Sequence, residues 1–364
     1  MSNPLLAGLR VLDLSRLLPG PYCSLALAQL GAEIIKIEEP GIGDYARLMS
    51  PELFALINRG KQSITLDLRK ADDVVRFHAL VKTADVVLES FRPEVMEKLG
   101  CSYATLHAIN PKLVYCALTG YGHSGPWRDK AGHDMNYCGY AGVLEQTGLA
   151  DGAPVLSNFQ IADLAGGSLT AALGIVAAVY GARASGEGCF VDAAMLDGAL
   201  ALQVVTLAAQ RTLGHANPRG GDMLSGALPN YSVYQCADGK HLAVGALEAK
   251  FFQAFCGAVG RADLAKRSLA PGKAGEVLRQ DLAAIIKSKT RDQWTTVLAD
   301  ADCCVTPVLT PDEALETEQA QARGMLEISL GKPAFAAALM FDGLRPAALT
   351  DAPKLGADNA TVLR

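Results

Sequence analysis

Hydrophobic and polar positions in the first third of the chain follow two alternating patterns. Short apolar runs, among them LRVLDL, EIIKIEEP, DVVLES and KLVYCALTG, are separated by longer stretches with helical spacing. Strands joined by helices pair in parallel, because each crossover connection places a helix on a face of the sheet. The pattern therefore predicts an α/β fold whose parallel sheet is covered on both faces.

The pattern changes further along the chain. It predicts helices near 161–184 and 194–213, with CFVDAAM as a strand between them, and then a Gly/Pro-rich linker over 214–229. The next stretch, YSVYQCADGKHLAVGA, has the alternation and the Asp-Gly turn of a β-hairpin, and helical segments follow it. We therefore expect a second, smaller α+β domain over residues 225–310.

Composition adds limits on the class of protein. The 364 residues are 50% hydrophobic and 20% charged, which is typical of a soluble globular protein with room for two domains. The formal net charge of -5 gives no general attraction to polyanions, so no nucleic-acid partner is expected. Nine cysteines without C-x-x-C spacing, and termini without a recognisable address, predict buried reduced thiols and a cytoplasmic location.

One stretch is long and apolar enough to suggest a membrane span. Leu164–Ala182 carries no charge, and its length alone would allow it to cross a bilayer. Its many small residues, the hydroxyls of Ser168 and Thr170 and the carboxyl of Asp163 at its entry favour a helix packed inside a protein. We expect no membrane partner.

The stretch GYGHSG, Gly120–Gly125, fits the pattern G-x-G-x-x-G of dinucleotide-binding turns. In that motif the glycines open a helix directly, whereas PWRDKAG follows here. The interpretation we favour is a glycine-rich turn without a bound NAD or FAD.

Three titratable residues are candidates for catalysis, and each has a structural alternative. A single histidine such as His133 in AGHDMNY is more often a hydrogen-bonded structural residue than a catalytic one, and Glu248 is equally compatible with decoration of a first helical turn. Asp163 in ADLAGGS is compatible with a helix N-cap. Gly166 and Gly167 behind Asp163 would leave space for a substrate, and backbone N–H groups near Asp163 and Gly166 could stabilise a developing anion.

Several basic residues could hold a phosphate group, although a solvated surface charge is the usual reason for an isolated cation. Arg59 lies just before a predicted strand and Arg92 just after one. Ligands of open α/β sheets bind near such strand ends, so these two arginines are the favoured candidates.

The motifs, taken in order, resemble those of the family III CoA-transferases, also called the CaiB/BaiF family. The resemblance runs from LRVLDLSRLLPGPYC through AGHDMNY and ADLAGGSLTAALGI to DADCCVTPVLTPDEA and so covers nearly the whole chain. It implies an α/β fold with a doubly wound large domain, built from residues 1–224 and 311–364, and an inserted small domain, 225–310. It also implies an interlocked homodimer.

Within that family, the histidine of AGHD makes the chain more similar to the racemases, which interconvert (2R)- and (2S)-2-methylacyl-CoA thioesters. By this resemblance His133 and Asp163 are the acid/base pair, and Glu248 orients or charges His133. Two alternatives stay open. Asp163 could instead be the nucleophile of a CoA-transferase that forms a mixed anhydride, or the protein could bind acyl-CoA without catalysis.

The resemblance also implies which residues contact the CoA ester, with no metal and no cofactor beyond the thioester substrate. Arg92 matches a position near the CoA phosphates, and Arg59 is the further candidate. Where the family usually has a phosphate-binding arginine, this chain has Glu39, so Lys36, Arg47 or Arg59 would substitute, or CoA is held differently. The segments that match ester-contacting stretches contain Leu66, Asp67, Leu68, Arg69, Gly132, Asp134, Met135, Asn136 and Tyr137.

Overall fold

A six-stranded parallel sheet forms the centre of the larger of two compact units. The computed structural model describes residues 5–269 and 272–363. The strand order, β3-β2-β1-β4-β5-β6, reverses direction between β1 and β4, which is the point where open α/β sheets bind ligands. The six strands are β1 Arg10–Asp13, β2 Glu33–Glu38, β3 Lys61–Thr65, β4 Val86–Glu89, β5 Val114–Thr119 and β6 Phe190–Ala194.

Helices cover both faces of this sheet, as the hydrophobic pattern predicts. Every residue of β5 is buried; Cys116 packs in one apolar cluster, and Tyr115 and Ala117 pack in the other. Alternate side chains of a strand point to opposite faces, so a strand buried at every position has a layer of helices on each side. The doubly wound α/β class is therefore confirmed.

The helices of the larger unit are mostly short, and one is long. The exception is a continuous helix over Ile161–Ser185, whose first part, Ile161–Leu169, is wound as a π-helix. The α-helices of this unit are α1 Pro19–Gln29, α2 Ala46–Met49, α3 Pro51–Ile57, α4 Ala71–Val81, α5 Val95–Lys98, α6 Tyr103–Ile109, α7 Asp134–Tyr140, α8 Thr170–Ser185, α9 Met195–Ala201, α15 Glu318–Ala322 and α16 Asn359–Val362.

The second unit has its own sheet and core. Its three antiparallel strands, in the order β7-β8-β9, include the predicted hairpin, and Gly239 in the hairpin turn has a positive φ of 82°. Phe252, Phe255 and Trp294 are among the buried residues of its core. The elements are β7 Tyr231–Gln235, β8 His241–Gly245, β9 Val305–Pro307, α10 Val204–Leu213, α11 Ala249–Ala258, α12 Gly272–Ile286, α13 Arg291–Val297 and α14 Pro311–Leu315.

The boundaries of the units differ from those expected from the sequence. The larger unit comprises the chain up to Leu144, the segment Leu156–Gln203 and the chain from Glu318 onward. The second unit comprises Glu145–Val155 and Val204–Thr317, so it begins before residue 225 and ends after residue 310. The boundaries predicted at 225 and 310 therefore need correction.

The difference arises from two segments that the sequence pattern predicted incorrectly. The helix predicted over 194–213 is two helices, α9 and α10, which belong to different units. The predicted linker, 214–229, is not a free connection, because Arg219 in it is buried and its guanidinium donates to the carbonyl oxygen of Glu145 at 2.6 Å. Asp222 is also buried, at the start of a π-helical turn over Met223–Ala227. Apolar residues at either end of a break keep the helical pattern continuous, so the pattern alone does not reveal the break.

The apolar stretch noted in the sequence forms a helix. Among the described residues, Ile161–Ser185 is the one helix that is long and apolar enough to cross a membrane, and a third of its most apolar window, 33%, is buried.

A further small sheet lies near the end of the chain. Its two antiparallel strands are β10 Leu326–Ser329 and β11 Lys332–Phe335, in a region for which the sequence predicted no element.

Candidate active site

Asp163 lies in the first turn of the π-helical segment Ile161–Leu169. The backbone N–H groups of Ala162 and Asp163 donate to Oδ1 of Asp134 at 2.8 and 3.0 Å. Burial of the Asp163 carboxyl, and then the charge of Asp134 nearby, raise its pKa from the model-compound value of 3.8 to about 7. Near neutral pH this carboxyl is therefore present both as an acid and as a base.

These hydrogen bonds correct one expectation. We expected backbone N–H groups near Asp163 and Gly166 to stabilise a developing anion, but the amide of Asp163 is already bound to a carboxylate. Gly166 is buried within the helix, and a Cβ there would lie 2.8 Å from the backbone nitrogen of Ala199. These amides are not open to a substrate oxygen.

The glycine behind Asp163 serves packing instead. A Cβ built on Gly198 of α9 would lie 1.9 Å from the carbonyl oxygen of Gly166. The two backbones therefore touch directly, which only residues without a side chain allow. This contact fixes the π-helical segment, and with it Asp163, against α9.

His133 is the N-cap residue of α7 and has extended backbone angles, φ -129° and ψ 176°. Its backbone N–H donates to Oδ1 of Asn136 at 3.0 Å, and its side chain is exposed. The next residue is Asp134, whose carboxylate binds the start of the helix that carries Asp163. The structure thus connects the two predicted acid/base residues through one side chain.

The remaining residues of this segment form one side of the site. The hydroxyl of Tyr137 donates to the carbonyl oxygen of Gly132 at 2.6 Å, and a Cβ on Gly132 would lie 2.7 Å from the Tyr137 ring. Burial raises the pKa of the Tyr137 hydroxyl; the charge of Asp163 raises it further, and that of Arg92 lowers it. The Tyr137 hydroxyl is therefore close enough to Asp163 and Arg92 for their charges to affect its pKa. Met135 and Asn136 are exposed beside it.

The predicted segment Leu66–Arg69 follows β3 at the carboxyl edge of the sheet. Leu66 is buried, and Asp67 accepts a hydrogen bond from Nε of Arg69 at 2.7 Å. The Arg69 side chain is 66% exposed, and its Nη2 also donates to Oε1 of Glu39 at 2.5 Å. Arg69 therefore pairs with the carboxylate that stands where the family usually has a phosphate-binding arginine, a contact that the sequence did not predict.

A cavity of about 640 Å³ adjoins this segment. Leu68 and Val74 contribute apolar walls, and Arg69, His78 and Lys98 contribute basic or polar groups. An apolar wall with several cations suits a ligand that combines a flat ring with phosphate groups.

Arg59 is not available as a phosphate ligand, and this prediction needs correction. Its side chain is 2% exposed, and burial lowers its pKa. Nε donates to the carbonyl oxygen of Leu56 at 3.1 Å, Nη2 to that of Phe335 at 2.7 Å, and Nη1 pairs with Glu327. A buried guanidinium whose three nitrogens all have partners within the protein stabilises the fold and is not free to bind a ligand.

The other two suggested substitutes for the arginine at position 39 are also occupied. Lys36 is fully buried and pairs with Asp44 at 2.9 Å. Arg47 makes two 2.7 Å hydrogen bonds to the carboxylate of Glu38. Both cations therefore already pair with carboxylates of β2 or of the loop that follows it.

Glu248 lies in the second unit, where it is the exposed N-cap residue of α11. Its carbonyl oxygen accepts from the amides of Phe251 and Phe252 at 3.0 and 3.1 Å. Glu248 therefore has the structural role that the sequence offered as an alternative, that of a residue at the start of a helix. Its role beside His133 stays a prediction.

Sequence reasoning missed a buried acid at the same edge of the sheet. Glu89 ends β4, is 2% exposed, and has a pKa raised by burial to about 8. Its Oε2 accepts from the amide of Phe91 at 2.6 Å, and its Oε1 lies 3.8 Å from Nε2 of His123. Its position at the end of a predicted strand was the only available signal.

The described ranges, 5–269 and 272–363, contain no cluster of three or more histidine, cysteine or acidic side chains that could hold a metal ion. All nine cysteines are free, and Cys189 and Cys304 are exposed while the other seven are buried.

The glycine-rich stretch Gly120–Gly125 is a turn after β5, in which Gly122 and Gly125 have positive φ. The stretch is therefore a glycine-rich turn that does not lead directly into a helix, and this agrees with our interpretation of the sequence.

The fold is that of an acyl-CoA enzyme family, and the chain belongs to CoA-transferase family III, whose model matches residues 6–359. It is 36% identical to the α-methylacyl-CoA racemase of Homo sapiens over 321 residues, 88% of this chain and 81% of that protein. It is 34% identical to the acetyl-CoA:oxalate CoA-transferase of Acetobacter aceti over 331 residues, 88% and 84%.

A solved structure has the same fold. The crystal structure of a CaiB/BaiF family protein from Brucella suis superposes with a TM-score of 0.86 and 30% sequence identity, and the match covers 98% of each chain. The resemblance to the family is therefore confirmed. Because the relatives include both a racemase and a transferase, family membership leaves the specific reaction to the chemistry of the site.

Proposed function

We propose that this protein is a racemase that interconverts the two enantiomers of 2-methylacyl-CoA thioesters. The observation that carries the proposal is the link between Asp163, whose carboxyl has a pKa of about 7, and the segment that begins with His133. Racemisation needs two groups that can each give or take a proton at the same pH. A histidine and a carboxyl with a raised pKa meet that need.

The chemistry is a proton removal followed by a proton return. One base takes the α-proton from one face of the thioester, and the C–H electron pair moves into an enolate. The other group, in its acid form, then gives a proton to the α-carbon on the opposite face. With the other enantiomer bound, His133 and Asp163 exchange roles, and each contributes about 10²–10⁴-fold as acid or base.

The same pKa fits general acid/base catalysis, which favours a pKa near the working pH. The rival CoA-transferase needs an ionised carboxylate to attack the thioester carbonyl. At pH 7 a carboxyl with a pKa of about 7 is half ionised, which lowers the concentration of that nucleophile only about twofold, so the experiments below decide between the two reactions.

We further propose that the cavity beside Leu68, Arg69 and Lys98 holds the nucleotide part of the CoA ester, and that Arg92 acts on the same ligand near Tyr137. Arg69 and Lys98 would pair with phosphate oxygens, since both side chains are largely exposed. Arg59 has no part in this proposal because it is buried.

A homodimer is part of the proposal. The exposed side of α8 and the residue before it form an apolar stripe, here called the α8 stripe, of Leu169 (51% exposed), Leu173 (71%), Val176 (37%) and Tyr180 (80%). Spacings of four, three and four residues place these side chains on one side of a helix. A continuous apolar helix surface in a protein of this family fits a second copy of the chain.

The decisive experiment incubates one enantiomer of a 2-methylacyl-CoA in deuterated buffer. We expect α-deuterium incorporation together with inversion, and loss of both in His133→Ala and Asp163→Asn. His215→Ala and Asp312→Asn, which change exposed residues of the second unit, are the matched controls. Absence of exchange and inversion across several acyl chains would refute the proposal.

The transferase alternative has its own outcome. Hydroxylamine or borohydride trapping of an acyl-enzyme at Asp163, with a free carboxylic acid as acceptor, would identify that reaction. Tight binding of CoA esters without exchange, transfer or hydrolysis would identify a binding protein instead.

A further inference from the structure

We propose that the hydroxyl of Ser168 positions Asp163, by tying the π-helical turn that carries this carboxyl to the rigid start of α1. We call residues Ser15–Pro21, which lead into α1 and include its first three residues, the pre-α1 turn. The inference rests on the proposed acid/base role of Asp163, and Ser168 acts through Asp163 without touching the substrate.

The hydroxyl of Ser168 is shared between two carbonyl groups. Its Oγ lies 2.6 Å from the carbonyl oxygen of Pro19 and 2.8 Å from that of Asp163. A hydroxyl has one hydrogen, so it forms a three-centre bond between these two acceptors. Ser168 is fully buried, which keeps water from replacing either bond.

The contact depends on the π-winding. Serine in an α-helix bonds the carbonyl group three or four residues before it. Ser168 instead reaches the carbonyl group five residues back, which is the spacing of a π-helix. Thr170 makes the same kind of bond, to the carbonyl oxygen of Ala165 at 3.1 Å, but it is exposed and no bond links it to the pre-α1 turn. Of these two hydroxyls, only that of Ser168 also links the π-helical segment to a second element.

The pre-α1 turn is a fixed anchor. Nζ of Lys36 donates to the carbonyl oxygen of Ser15 at 2.9 Å, and Nζ of Lys61 donates to that of Pro21 at 2.9 Å. The carbonyl group that Ser168 binds lies between these two points in the chain. Both ends of the turn are thus held by side chains from neighbouring strands.

These lysines are themselves held by buried ion pairs. Lys36 pairs with Asp44 at 2.9 Å and Lys61 with Asp13 at 3.3 Å, and all four side chains are fully buried. A buried charge is costly to leave without its partner, so these pairs do not open easily. Ser168 therefore joins Asp163 to a segment that two lysines in buried ion pairs hold in place.

Loss of the hydroxyl frees the π-turn without disturbing the anchor. In Ser168→Ala the first turn of the helix relaxes, and the Asp163 carboxyl moves and gains contact with water. Misplacement of a reacting group lowers the rate of the chemical step more than it lowers substrate binding. Greater hydration of the carboxyl lowers its pKa, because burial is the main cause of its raised value.

The test compares Ser168→Ala with Thr170→Ala in the full-length protein. The matched control removes one hydroxyl that also bonds a carbonyl group five residues back, and leaves the bond to Pro19 intact. We expect Ser168→Ala to lower kcat for α-proton exchange about tenfold, with KM within about twofold, and Thr170→Ala to change neither.

A second readout is independent of activity. Carbon-13 NMR of aspartate-labelled protein, with the Asp163 signal assigned from Asp163→Asn, follows the titration of this carboxyl directly. We expect its pKa to fall in Ser168→Ala and to stay near the wild-type value in Thr170→Ala. If Ser168→Ala does not fold, Ser168→Cys, which has a similar size and a weaker donor, takes its place in both measurements.

The outcomes separate the two proposals. A wild-type protein without exchange activity overturns the proposed function, while the NMR titration still tests Ser168. The same pKa for Asp163 in the serine and threonine variants overturns the positioning role of Ser168. Equal kcat in those variants overturns it as well.

Discussion

Oδ1 of Asp134 lies 3.0 Å from the backbone nitrogen of Asp163 and accepts its hydrogen bond. The carboxylate beside His133 therefore holds the start of the helix that carries the second acid/base candidate. Its negative charge also disfavours ionisation of Asp163, after burial, which is the larger cause. One side chain thus places the Asp163 carboxyl and helps to set its pKa.

Asp134→Asn should lower the pKa of Asp163. An amide oxygen still accepts the two N–H groups, but the negative charge that raises the pKa of Asp163 is lost. We expect the limb of the pH–rate profile that reports ionisation of Asp163 to move from about pH 7 to lower pH. Profiles of α-deuterium exchange measure it, and Asp129→Asn, an exposed change in the same connecting segment, should leave the limb in place.

Asp163 should make the folded protein less stable as the pH rises. Its folded pKa of about 7 lies above the model-compound value of 3.8, so between these values the folded state binds more protons than the unfolded state. The contribution of Asp163 to the free energy of unfolding therefore falls as the pH rises from about 4 to about 7 and is constant above that. Because the carboxyl is only half-buried, we expect Asp163→Asn to gain about 2 kcal/mol relative to wild type between pH 4 and pH 8. Urea unfolding at both pH values tests this, and a constant difference would contradict it.

Arg59→Ala should destabilise the fold, whereas Arg69→Ala should weaken binding of CoA. The first change leaves the carboxylate of Glu327 without its buried partner, at a cost of about 3 kcal/mol. The second removes an exposed cation from the proposed CoA cavity with little effect on stability. Thermal unfolding and calorimetric titration with free CoA separate the two effects. Weaker CoA binding by a folded Arg59→Ala protein would restore Arg59 as a ligand.

Gly198→Ala should disrupt the helix contact behind Asp163. The new Cβ would lie 1.9 Å from the carbonyl oxygen of Gly166, so the two backbones must separate. We expect a loss of about 2 kcal/mol in the free energy of unfolding and a fall in exchange activity. Gly181→Ala in α8 is the matched control, because its Cβ would meet no atom within 4 Å. That variant should be neutral or slightly stabilised.

Leu173→Glu should shift the protein from dimer to monomer. It introduces a charge in the middle of the α8 stripe, which burial against a second copy would leave without a partner. Ser185→Glu in the same helix, away from the stripe, is the control. Sedimentation velocity measures both. Monomeric wild-type protein at micromolar concentration would contradict the dimer.

Much of the larger unit was predictable because its signals are local. Buried strands such as β2 and β5 are short apolar runs bounded by turns, and the periodicity of α4 is that of a helix with one buried side. The break between α9 and α10 was not predictable, because apolar residues continue across it. Which compact unit a segment joins depends on contacts between residues distant in sequence, and periodicity contains no information on them.

The same division applies to the site. The sequence by itself determined the family resemblance, the parallel sheet and the candidates His133 and Asp163, because these depend on residue type and local order. Only the tertiary structure decided that Arg59 is buried, that Asp134 binds the amide of Asp163 and that Ser168 reaches Pro19. Burial and long-range hydrogen bonds arise when distant segments pack together, so they set the pKa and position of a side chain that the sequence only names.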